Sequence, residues 1–149
     1  MSAIDSKLTA AHAEVKAEIA RTDTKTSLLL AFVGALLAGT WTVAKDAPLT
    51  APAYAVGGLG TVLLLAAAAL LLRSVRPNLG GRHGFPLWAT LTAEEITATL
   101  ATDLSADIAG LSRLAVAKFT GLKRAVDLTC AGGALLVLAA LIAAGGALA

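Results

Sequence analysis

The side chains best suited to chemistry are charged residues gathered where apolar runs meet polar ones: Arg21, Asp23 and Lys25 before the first run, Arg73 and Arg76 after the second. Such a collar has two readings. Bases at this level anchor helices among lipid headgroups and signal topology. The same cations beside partly desolvated helix ends would also favour a compact anion such as a phosphate.

Other candidate chemistry is sparse. There is no phosphate loop, nucleophile elbow or metalloprotease helix, and His12 and His83 lie far apart, so neither an enzyme nor a metal site is expected. His12 reads as a surface residue. His83, beside Arg82 in a Gly-rich loop, reads as a solvated histidine near headgroups. Glu94 and Glu95 are adjacent, which points them in different directions on a helix, and acids suit a helix's first turn. Cys130 is the single cysteine, which excludes an internal disulfide, and it reads as a small apolar filler.

The elements that must position these residues belong to a membrane protein. Of the 149 residues, 57% are hydrophobic and only 15% charged, far from the balance of a soluble domain. The apolar residues gather into runs over 26–44, 47–72 and 128–149. At about 1.5 Å per residue each can cross roughly 30 Å of hydrocarbon. Pro48 and Pro52 suit a turn or first helical turn, so the spans are predicted at 26–44, 53–72 and 128–148. The third is rich in Ala and Gly, and a re-entrant or bundle-buried helix is its alternative. The fold class is all-α integral membrane, with a single domain over 1–149.

Orientation follows from the bases. Four of the twelve lie in residues 1–25, one at Lys45 and seven between Arg73 and Asp127. Eleven therefore share one side, which makes the N-terminus cytoplasmic and the chain a multi-pass membrane protein. The residues before the first run carry four acids as well as four bases, so no cleavable leader is expected. Trp41 and Tyr54 flank the turn between the first two spans, at headgroup level. No ionised side chain lies within a span, which disfavours coupled transport. Gly34 with Ala38, Gly57 with Thr61, and the Gly132-Gly133 pair would let helix backbones approach, within one chain or between copies of a homo-oligomer.

The cytoplasmic segments read as helices. Residues 3–25 hold no Gly or Pro and place Ile4, Leu8, Val15 and Ile19 at helical spacing. The polar stretch Thr22–Ser27 could kink this helix or carry it unbroken into the first span. Segment 73–127 opens with a Pro- and Gly-rich loop over 76–86, and Phe85, Leu87 and Trp88 suit the headgroup region. A Thr92-x-x-Glu95 capping box then starts a helix over 93–100. Leu104, Ile108, Leu111, Ala115, Leu122 and Val126 mark the face of another, with Arg113 and Lys118 on its remainder. Together these form a small membrane-proximal cap.

At these residues the chain resembles a known family. Ala20-Arg21-Thr22-Asp23-Thr24-Lys25 enters an apolar hairpin, Arg76-Pro77 leaves it, and Leu111-Ser112-Arg113-Leu114-Ala115-Val116-Ala117-Lys118 leads to a last apolar run. This order and spacing, over about His12 to Ile142, resembles the transmembrane domain of the Pycsar effectors. The resemblance implies a bacterial anti-phage effector that a cyclic pyrimidine nucleotide, such as cCMP or cUMP, activates to impair the inner membrane. It further implies a pyrimidine nucleotide cyclase as functional partner, the bilayer as setting and no direct binding of nucleic acid.

A β-roll for cyclic nucleotides needs a length and a β-branched alternation that this chain lacks, so any pocket must be helical. It would lie among Arg21, Lys25, Arg76, Arg113 and Lys118, with Asp23 orienting a base; a purely structural collar is the alternative. An Ala- and Gly-rich chain of this size is also similar to the spread proteins of plasmid transfer, which associate with a DNA translocase.

Overall fold

The computed structural model describes residues 3–46, 49–76, 85–102 and 104–146. They form five helices: α1 (Ala3–Asp46), α2 (Ala51–Val75), α3 (Phe85–Trp88), α4 (Ala93–Thr102) and α5 (Leu104–Gly146). No strand occurs among the described residues. Three of them, α1, α2 and α5, are long and apolar enough to cross a membrane, so the all-α, three-span class read from composition holds.

The polar stretch Thr22–Ser27 does not interrupt α1, because its threonines turn back on their own helix. Thr22 Oγ1 donates to the Glu18 carbonyl at 2.9 Å and Thr24 Oγ1 to the Ala20 carbonyl at 3.1 Å. A hydroxyl satisfied this way carries no open polar demand towards hydrocarbon. The same back-bonding recurs at Thr40, Thr61 and Thr129. Helix α2 starts at Ala51, earlier than 53, because Pro52 falls in a first turn, where its missing N–H would have had no helical partner anyway. The 76–86 loop is shorter than expected at its end, where Phe85 and Pro86 already belong to α3; its residues 77–84, with Arg82 and His83, lie outside the described residues, as do 147–149. Helix α4 begins with the Thr92–Glu95 capping box: Glu95 N–H donates to Thr92 Oγ1 at 3.3 Å and Thr92 N–H to Glu95 Oε2 at 2.8 Å.

Compact packing divides the chain into two units. A cap unit holds residues 1–24 and 76–120, and a span unit holds 25–75 and 121–149. The division falls within α1 and α5, which both units share.

In the span unit, α2 presents one stripe of buried residues, Ala53, Gly60, Leu64, Ala67 and Leu71. Helix α5 presents Ala125, Thr129, Gly132 and Ala139 at the alternating four- and three-residue steps of a packing seam. Val33, Leu64, Leu71 and Ala125 form the core, with Leu29, Leu30, Leu122 and Leu136 against it. The outer faces carry Leu28, Phe32, Leu59, Val62 and Leu141, all exposed, as helices facing lipid require. Lipid tails are as apolar as leucine, so close packing, not water exclusion, must hold the spans together. Helices α2 and α5 approach closely where a Cβ added to Gly60 would meet the Gly132 carbonyl oxygen at 2.9 Å, and one added to Gly132 would meet that of Gly60 at 2.9 Å.

Candidate functional site

In the cap unit, α1 and α5 are joined by two polar contacts. His12 Nε2 lies 3.0 Å from Asp107 Oδ2, with both side chains about 15% exposed. Three turns further along each helix, Lys118 Nζ donates to Asp23 Oδ1 at 2.5 Å. Both pairs span the same separation of 95 residues, so the two helices run parallel and in one register. The pairs alternate in sense, with the nitrogen partner on α1 in the first and on α5 in the second. A third contact places Lys16 Nζ 5.2 Å from the centre of the Trp88 ring, within cation–π range, and ties α3 to α1.

His12 is therefore not the surface residue expected; it is a mostly buried member of a cross-helix pair. Its signal was weak, since a single sequence shows neither that α1 and α5 adjoin nor their register. Lys118 sits on the half-buried face of α5, in step with Leu104, Ile108, Leu111 and Ala115 and not on the helix's remainder as expected, and its side chain is 19% exposed. A charge at such a position specifies register more than it adds stability.

The remaining candidate ligand-binding residues are distributed differently. Arg21 is exposed and donates to Glu18 Oε2 of its own helix at 3.3 Å. Arg113 is exposed on α5, five residues and so about 140° around the helix from Lys118. Arg76 is exposed at the bend that ends α2. Lys25 is exposed in the span unit. Asp23 and Lys118 are thus brought together, while Arg76 and Arg113 present exposed guanidinium groups on the cap unit and Arg21, also exposed, is paired with Glu18. An accessible guanidinium is the side chain best shaped for a phosphate. Among the described residues no group of His, Cys, Asp and Glu could hold a metal ion.

The candidate packing positions also separate. Gly57 faces Ala139, whose Cβ would be 3.4 Å from an added Gly57 Cβ, and the Thr61 hydroxyl bonds to the Gly57 carbonyl at 2.8 Å. Gly132 meets Gly60, a residue sequence reasoning did not single out. Added side chains at Gly34 and Gly133 would meet nothing within 4 Å, and Ala38 is exposed.

Three long apolar helices, two of which also run through a second, charged helical unit, define a class: α-helical integral membrane proteins. Within that class the chain belongs to the Pycsar effector protein domain family, which residues 7–145 match, nearly the whole chain. The resemblance carried by the Arg21-to-Lys25 entry and the Arg113-to-Lys118 lead-in is confirmed by that match. Membership indicates a Pycsar effector of anti-phage defence, within a signalling system of cyclic nucleotides. No curated protein and no solved structure matches the chain.

Proposed function

We propose that the protein is a non-enzymatic effector of the inner membrane, activated by a cyclic pyrimidine nucleotide from a partner cyclase and acting by impairing the bilayer. The observation that carries this reading, beyond family membership, is the continuity of α1 and α5. Each is a single helix shared by the cap and span units. A ligand that favours one arrangement of these helices in the cap would impose the change on their own spans. This sharing is also why we treat the whole chain as one functional domain, with its N-terminus on the cytoplasmic side where most bases lie.

In this reading Arg21, Arg76 and Arg113 offer guanidinium groups to the cyclic phosphate, with Lys25 nearby in sequence on α1. The Asp23–Lys118 pair holds the helices in the resting register, and a phosphate can compete for the Lys118 ammonium. Copies associate through the outward small-residue positions Gly34, Ala38 and Gly133. No observation favours the plasmid-transfer alternative.

The test is membrane depolarisation in cells expressing the protein, read with a potential-sensitive dye, with and without an active pyrimidine cyclase. Depolarisation only with active cyclase is the expected result; no response in either condition would overturn the reading. Binding of cCMP and cUMP to the purified protein should weaken in Arg76→Ala and in Lys118→Ala, and unchanged affinity in both would remove these residues from the site.

A further inference from the structure

The span unit contains a groove of about 410 Å³ between α1, α2 and α5, within the roughly 300–1,000 Å³ usual for sites that hold small organic ligands. Small residues make it, among them Gly39, Gly57, Gly58, Ala53, Ala139 and Ala140. Two of its hydroxyls are already committed: Thr40 Oγ1 donates to the Leu36 carbonyl at 2.8 Å and Thr61 Oγ1 to the Gly57 carbonyl at 2.8 Å. A site without convergent polar groups does not retain water. An apolar void of this size inside a bilayer would forfeit the packing contacts of its whole lining.

The groove is bounded towards the α1–α2 turn. There the Tyr54 hydroxyl reaches from α2 to the Ala44 carbonyl of α1 at 3.5 Å. Thr50 Cγ2 also stands 3.1 Å from where a Gly146 side chain would begin. Towards mid-membrane its lining stops at Ala35 and Thr61, short of the fully buried core residues Val33 and Leu64. Its lining residues Gly39, Val43 and Gly58 are exposed on the outside of the span unit.

Its length selects the occupant. Along α1 the lining runs from Ala35 to Ala44, about 14 Å at 1.5 Å per residue, half of a hydrocarbon layer about 30 Å thick. A lipid tail in one leaflet reaches half the bilayer. A spanning helix of a second copy traverses all of it and would need a groove of full depth.

We propose that this groove is a binding site for an acyl chain of a phospholipid in the leaflet on the side of the α1–α2 turn. The proposal does not rest on the nucleotide reading. Leucines at Gly39 and Gly58 would fill the groove without a backbone clash, since a Cβ at either position meets nothing within 4 Å.

The experiment reconstitutes the full chain in nanodiscs of phosphatidylcholine bearing a photoactivatable diazirine on one acyl chain, and maps the adducts by fragment mass spectrometry. Adducts at Ala53, Gly57 and Ala139 are expected in addition to those at the lipid-facing Leu59 and Leu141. The Gly39→Leu/Gly58→Leu variant should lose the groove adducts and keep those at Leu59 and Leu141. Gly121→Leu/Gly145→Leu, of equal bulk but outside the groove and with nothing within 4 Å of either added Cβ, should keep both sets, which separates occlusion from misfolding. Adducts confined to Leu59 and Leu141 in the unaltered chain would overturn the proposal. So would groove adducts that survive the double substitution.

Discussion

Gly132 and Gly133 are neighbours on α5 with the same chemistry, and the structure gives them opposite roles. A methyl at Gly132 would sit 2.9 Å from the Gly60 carbonyl oxygen and 3.1 Å from Leu64 Cγ. Ordinary contact begins near 3.4 Å, so α2 and α5 would have to separate by about half an ångström. The obstructing atom is backbone and cannot swing aside, and overpacking of this kind costs about 1–3 kcal/mol. A methyl at Gly133 meets nothing within 4 Å and removes glycine's helix penalty, a gain of up to about 1 kcal/mol. Gly132→Ala shares that propensity gain, so the two variants should differ by the overpacking cost alone, about 1–3 kcal/mol, read as SDS-driven unfolding in mixed micelles followed by far-UV circular dichroism. Gly60→Ala should resemble Gly132→Ala. The double variant should cost less than the sum, since one separation relieves both contacts. Equal stability of Gly132→Ala and Gly133→Ala would refute the close α2–α5 approach.

Three further outcomes follow from other contacts. Asp23→Ala leaves the mostly buried Lys118 without its carboxylate and should destabilise by about 1 kcal/mol, the upper end for a partly exposed pair; the exchange Asp23→Lys with Lys118→Asp should recover most of the loss in a double-mutant cycle. Thr92→Ala and Glu95→Ala each open the capping box and should raise amide exchange across Ala93–Thr102, consistent with about 0.5–2 kcal/mol for a lost N-cap. Leu64→Ala should cost about 2–5 kcal/mol by leaving a cavity in the core, whereas Leu65→Ala, on an exposed face, should change mixed-micelle stability little.

The class of this protein was legible in its sequence because a bilayer imposes a one-dimensional rule: a spanning helix must be long, apolar and internally hydrogen-bonded. Runs such as 26–44 show that without any partner. The capping box at Thr92 and Glu95 was equally legible, since its bonds close within four residues. The 95-residue register that pairs His12 with Asp107 and Asp23 with Lys118 was not, because helical periodicity marks a face but not the face it meets. The same limit hid Gly60, and it left the two glycines at 132 and 133 alike until packing set one against a backbone and the other towards open space. Local and solvent-driven rules act along the chain and can be read from it; register and contact arise only when distant segments share a volume, and there the tertiary structure decides.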